Sequence, residues 1–184
     1  MSDKPKIKVA TVWLGGCSGC HMSFLDLDER LVELVKLVDI TASPITDVKE
    51  IPNVDVGIVE GAVCNEEHVE MAHKIRNRTR IVVAFGDCAV TGNVTALRNQ
   101  LGLGNAENVL QRAYIELADM NGQIPKLPGI VPALLDTVMP LREVIHVDHY
   151  LPGCPPPAER IKALVSQLLA GGTPKLEGKD IKFG

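Results

Sequence analysis

Apolar runs rich in β-branched residues alternate along this chain with segments of helical period. No other feature limits its fold so strongly. Ile7–Trp13 reads as a strand, followed by a Gly-rich loop at 14–21. Ser23 stands where it can cap the next helix, with Asp26 three residues on in capping-box spacing. Phe24, Leu27, Leu31 and Leu34 or Val35 give that helix one apolar face. Val38–Ala42 is a second, weaker strand. Residues 55–61 are a third, nearly all apolar, as a strand covered on both faces should be. Asn65 can cap another helix, with Glu66 and Glu67 in its first turn and Lys74, Arg76 and Arg78 near its end. That order suits the helix dipole, so the basic cluster reads as a helix terminus and not as a binding patch. Residues 80–86 are a fourth strand, and 91–101 and 107–117 are helices. The stretch 123–140, punctuated by Pro125, Pro128, Pro132 and Pro140, reads as loop with short turns. Residues 144–147 are a fifth strand. Prolines 155–157 open a last helix with the stripe Ile161, Leu164, Val165 and Leu168, which Gly171 ends. Residues 173–184 form a polar, extended tail. Strands alternating with helices imply an α/β fold. The expectation is one domain over 1–184, a flavodoxin-like, doubly wound, five-stranded parallel sheet, with ligands at the carboxyl ends of its strands.

Composition narrows the function classes. The chain has 184 residues, 46% hydrophobic and 23% charged, with a net charge of −4. That is one globular domain, neither a disordered chain nor a polybasic nucleic-acid binder. No run approaches the ~18 apolar residues of a membrane span. The N-terminus has no signal-like apolar region, and no two arginines are adjacent. The expectation is a cytoplasmic protein with no membrane or nucleic-acid partner. Thiols stay reduced there, so five cysteines point to metal or catalysis and not to disulfides.

All five cysteines fall just past the end of a strand. Cys17 and Cys20 follow the first, Cys64 the third, Cys88 the fourth and Cys154 the fifth. Structural thiols would be scattered through strands and helix faces; these converge on one sheet edge, as a shared metal site requires. Zinc sites usually offer two local pairs, and this chain has one. An iron–sulfur cluster fits better, because its four thiolates can come from distant segments. Cys154 is followed by Pro155, as in bacterial ferredoxin runs. Gly15, Gly16, Gly19 and Gly153 flank the ligands, where positive φ lets backbone amides approach the sulfurs. Cys17, Cys20 and Cys154 are set by local context; spacing alone leaves Cys64 and Cys88 open for the fourth place. A flavin is the rival ligand of this fold, but cysteines occupy the loop where its phosphate would sit. Tyr150 alone among the aromatics stands near the right edge, and Trp13 reads as core. Residues 102–105 lack the third glycine of a dinucleotide motif.

The motifs then resemble a known family. Leu14-Gly15-Gly16-Cys17-Ser18-Gly19-Cys20-His21 resembles the proximal-cluster loop of nickel–iron hydrogenase small subunits. Glu60-Gly61-Ala62, Gly86-Asp87-Cys88-Ala89 with Gly92, and Pro152-Gly153-Cys154-Pro155-Pro156 resemble three further loops of that family, in the same order. The resemblance selects Cys88 over Cys64. Exported members carry a twin-arginine leader and two more clusters, neither of which is seen here. The run on through Met22-Ser23-Phe24-Leu25-Asp26-Leu27-Asp28-Glu29 looks most like cytoplasmic NAD-linked, bidirectional enzymes. The related subunit of respiratory complex I has adjacent cysteines in its first loop, unlike the spacing here. Membrane-bound energy-converting hydrogenases are the nearest alternative.

The resemblance implies an electron-transfer subunit with one 4Fe–4S cluster on Cys17, Cys20, Cys88 and Cys154. A large subunit would hold the NiFe centre and split H2. Diaphorase subunits with FMN and further Fe–S clusters would exchange the electrons with NAD. No catalytic residue is expected on this chain itself. Hydrogen oxidation linked to NAD needs a potential on the order of −400 mV, the plant-type ferredoxin range. A helix starting at Ser23 would raise the potential, opposed by Asp26, Asp28 and Glu29. Glu60 is either a proton relay at a strand end or an acid that orients loops. His21 reads as a solvated loop residue in preference to a donor near the cluster. The Pro-rich stretches 125–140 and 152–157, with Tyr150 and Leu151, read as docking surfaces for an obligate partner.

Overall fold

The computed structural model describes residues 5–183 except Asp47 and Lys49. Seven strands are seen among them: β1 (Ile7–Trp13), β2 (Val38–Ala42), β3 (Val54–Glu60), β4 (Val63–Asn65), β5 (Thr79–Phe85), β6 (Leu134–Met139) and β7 (His149–Leu151). The helices are α1 (Gly19–Leu25), α2 (Arg30–Leu37), α3 (Glu66–Arg78), α4 (Asp87–Thr91), α5 (Asn105–Gln111) and α6 (Ala158–Leu169).

Five strands form one sheet in the order β2-β1-β3-β5-β7. Every pair in it is parallel. Counting only those five gives the flavodoxin order 2-1-3-4-5. The period of two divides the core between the faces. Val82 and Ala84 of β5 join Ala72 and Ile75 of α3 on one side. Val83 and Phe85 join Ile161 and Leu164 of α6 on the other. Helices therefore cover both faces, which is why β3 and β5 are apolar throughout. Asn65 caps α3 by accepting the His68 N–H at 2.8 Å, and Arg76 and Arg78 lie in its last turn.

Several elements depart from expectation. Ser23 lies inside α1 and its hydroxyl donates to the Pro156 carbonyl at 2.6 Å, so it does not cap a helix. The apolar face drawn from it runs over two helices, α1 and α2. The helix expected at 91–101 is a 3-10 helix over Asn93–Leu101. The next begins earlier, and its last turn, Arg112–Glu116, widens to a π-helix. The Pro-punctuated stretch contains β6, which pairs antiparallel with β4. Asn99 supports that pairing, because its side chain donates to the Val138 carbonyl and accepts the Val138 N–H, both at 2.9 Å.

The fifth strand of the main sheet is 149–151 and not 144–147. Leu141–Glu143 coil into a 3-10 turn, and Ile145 and Val147 are buried as core without joining the ladder. Pairing starts at Asp148, whose N–H donates to the Val82 carbonyl at 2.9 Å and whose carboxylate accepts the Val82 N–H at 2.7 Å. Past Gly171, part of the polar tail coils into a 3-10 turn at Gly178–Ile181.

Candidate metal centre

β1 ends at Trp13, and the chain folds at once onto the end of β3. Leu14 donates its N–H to the Glu60 carbonyl at 2.7 Å, and Gly15 and Ala62 exchange backbone bonds at 2.9 and 2.8 Å. Gly61 has φ 92°, and a Cβ on it would lie 2.9 Å from the Gly15 carbonyl oxygen, so this contact needs a glycine. The loop so anchored carries Cys17, exposed, and delivers Cys20, buried, into α1. Cys88 lies in α4, directly after β5. Gly86 at that junction packs its Cα against the Cys20 sulfur; a Cβ there would collide with it. Cys154, exposed, follows β7 and is joined to Pro155 by a cis bond. Asp87 ties the last two loops together. Its N–H donates to the Gly153 carbonyl at 2.9 Å, and its carboxylate accepts the Gly153 N–H at 2.5 Å.

The thiols share an electrostatic environment. Burial pushes the Cys20 thiol far up, and the charges of Glu60, Cys88, Cys17 and Cys154 add to it. Burial, then Cys154, Cys17 and Glu60, push Cys88 up in the same way. Together with Cys17 and Cys154, whose charges act on them, these two thiols form a donor set suited to a cationic core, which holds coordinating thiols deprotonated. No group of three or more His, Cys, Asp or Glu side chains among the described residues closes round a single ion.

Cys64 stands apart. Its sulfur packs against Gly15 and lies 3.4 Å from the Ala62 carbonyl. Burial raises its pKa against the opposing pull of Arg98 and Thr95, and no other cysteine acts on it.

Glu60 and His21 were only half legible in sequence. Glu60 is buried, and both its oxygens are engaged. Oε1 accepts the Cys20 N–H at 3.2 Å, and Oε2 accepts the His21 N–H at 2.9 Å. The His21 Nδ1 lies 2.5 Å from Oε2. Burial alone would raise the Glu60 carboxyl, but the bonds from the His21 ring and amide and from the Cys20 amide hold it below its ordinary value. His21 is therefore buried and paired, not solvated. Trp13 is half-exposed, not core, and lies edge-on to the His21 ring at 5.4 Å between centroids. Of the four glycines expected to take positive φ, only Gly153 does. Asp87, which clamps two of the loops, was missed; the signal was an acid beside a thiol between apolar neighbours.

Residues 17–168 match the family described as NADH ubiquinone oxidoreductase, 20 Kd subunit. The chain belongs to that family. The matched span of this 20 kDa-subunit domain includes all five cysteines. Its relatives include the NAD-reducing hydrogenase HoxS subunit delta of Cupriavidus necator, 40% identical over 90% of this chain and 80% of the relative. A subunit of the F420-non-reducing hydrogenase of Methanothermobacter marburgensis is also 40% identical, over 90% of this chain and 54% of its own length. The chain thus spans about half the length of that relative. A chain in the crystal structure of NAD+-reducing NiFe-hydrogenase in the H2-reduced state superposes with a TM-score of 0.91 at 39% identity, covering 98% of this chain and 100% of that one.

Proposed function

We propose that this protein is the electron-transfer small subunit of a cytoplasmic, NAD-linked nickel–iron hydrogenase. Cys17, Cys20, Cys88 and Cys154 would hold one 4Fe–4S cluster, and Cys64 would not. A large subunit bearing the NiFe centre, and diaphorase subunits bearing FMN and Fe–S clusters, are the partners. The cluster supplies one-electron transfer between the two. The chain's own residues hold the four thiols at one sheet edge. Glu60 and Asp87 fix the loops that carry them, and Gly86 admits the Cys20 sulfur.

One observation carries the reading. Thiols from three separate loops meet at the carboxyl edge of a sheet whose chain, over its whole described length, has the shape of a subunit of an NAD+-reducing NiFe-hydrogenase. The 39% identity to that chain and the 40% identity to the HoxS subunit delta support an NAD-linked enzyme. The test is to purify the protein with its natural partners. The expected result is a co-purifying nickel-containing subunit and a flavin subunit, H2-dependent NAD reduction, and four irons on this chain. Purification as a lone zinc or flavin protein would overturn it. Whether Glu60 also relays protons is read from hydrogen turnover in Glu60→Gln, where an unchanged rate removes that role.

A further inference from the structure

We propose that Glu60 is a positioning residue that holds the potential of the centre low. It draws the amides of Cys20 and His21 away from the ligand sulfurs and stands beside them as a buried negative charge. This deepens the iron–sulfur reading and rests on it.

Net charge, hydrogen bonds to sulfur and solvent exposure set the potential of a cluster. An amide bonded to a ligand sulfur stabilises the electron that reduction adds. Here the two amides at and after Cys20 donate to Glu60, at 3.2 and 2.9 Å. The imidazole next in line does the same at 2.5 Å. A carboxylate only accepts, so His21 carries its proton on Nδ1. Its other nitrogen, Nε2, is buried with no hydrogen-bond partner among the described residues, and the ring lies edge-on to Trp13 and Phe85. His21 is thus committed to Glu60 and not to a sulfur.

Capping alone does not demand this arrangement. α3 is capped by Asn65, a neutral residue of its own loop. The carboxylate at Cys20 comes instead from a different strand, 40 residues away, and is 2% exposed, so water screens it little. Its charge reaches the ligands, since it acts on both the Cys20 and the Cys88 thiols.

The experiment is an equilibrium redox titration, followed by EPR, of the full chain in its native assembly. Glu60→Gln keeps the shape and one acceptor oxygen but removes the charge. Its midpoint is expected to rise so that the oxidised-to-reduced ratio at the wild-type midpoint falls at least about tenfold, which is 59 mV for one electron. Glu60→Asp keeps the charge and should stay within about threefold of wild type. An unchanged midpoint in Glu60→Gln at full iron content overturns the proposal, as does a Glu60→Asp shift equal to that of Glu60→Gln. Should Glu60→Gln lose its iron, pulsed EPR of the wild-type assembly with 15N-histidine decides. The expected result is no strong coupling to the His21 amide nitrogen, and a strong coupling overturns the assignment. A wild-type assembly with no reducible signal on this chain sinks the iron–sulfur reading itself, which separates the two failures.

Discussion

Gly86 has φ 82° and ψ 162°, a region open in practice only to glycine, and its Cα faces the Cys20 sulfur. Gly86→Ala therefore meets backbone strain of roughly 1–3 kcal/mol together with a collision against a ligand thiol. The expected outcome is loss of bound iron and a lower Tm, seen by metal analysis and calorimetry. A fully loaded Gly86→Ala protein would show that the Cys20 sulfur can move aside. The two undecided cysteines separate at the same scale. Cys88→Ser should lose the iron signal, whereas Cys64→Ser should keep it, because the Cys64 sulfur rests against Gly15 and is electrostatically silent toward the other thiols. Residue chemistry showed most of this site in the sequence, since cysteines followed by Gly or Pro at strand ends are a local signal. The Glu60–His21 pair was not legible in the same way. Its partners lie 39 residues apart, and a histidine in a Gly/Ser-rich loop carries no mark of burial.

Elements were legible where period and burial agreed. β1 and β2 lie where alternation and β-branching place them, and α3 begins at its Asn65 cap. The last strand shows why others were not. Residues 144–147 have strand-like composition, yet a side-chain bond begins the pairing at Asp148. β6 hid among prolines because its partner, β4, has only three residues, Val63–Asn65. Asp148 gives a test of this element. Burial alone would raise its carboxyl, but the Val82 N–H and the Arg76 guanidinium, 2.6 Å away, hold it below the ordinary value. Arg76 also donates to the carbonyls of His146, Thr79 and Arg80, so α3, β5 and the approach to β7 share one pin. A lowered native pKa stabilises the fold above the unfolded value, and that stability is lost as pH falls through the native one. Asp148→Asn should thus be less stable than wild type by about 1–2 kcal/mol at neutral pH. The gap should shrink as pH falls below about 3.9. Urea titrations at several pH values check this; a gap independent of pH would mean that the charge is not what pins β7.

At the scale of the molecule, both faces of the sheet are covered by helices, and the three most exposed large apolar side chains among the described residues, Leu103, Met120 and Ile130, lie on one long excursion between β5 and β6. Val94, Leu97 and Leu101 lie on its 3-10 helix, and Leu103, Met120 and Ile130 lie beyond. Leu103 is 94% exposed and Met120 87%, far outside what a free surface needs from its larger residues. Scattered apolar residues are ordinary on a soluble surface, whereas a concentration along one segment marks an interaction site. The stretch expected to dock from its prolines, 125–140, supplies part of this excursion and also β6, so rigidity and pairing share it. No helix among the described residues is long and apolar enough to cross a membrane, so a transmembrane helix does not account for the segment. On the proposed assignment, partner subunits cover it. Limited proteolysis of the chain alone should therefore cut first between residues 93 and 131, and hydrogen exchange there should be fast. In the purified assembly the same segment should resist cleavage and exchange by at least about tenfold, the effect of roughly 1.4 kcal/mol of added local stability. Equal cleavage in both states would place the partner contact elsewhere, against the exposed Trp13, Met22 and Leu25 beside the first cysteine loop.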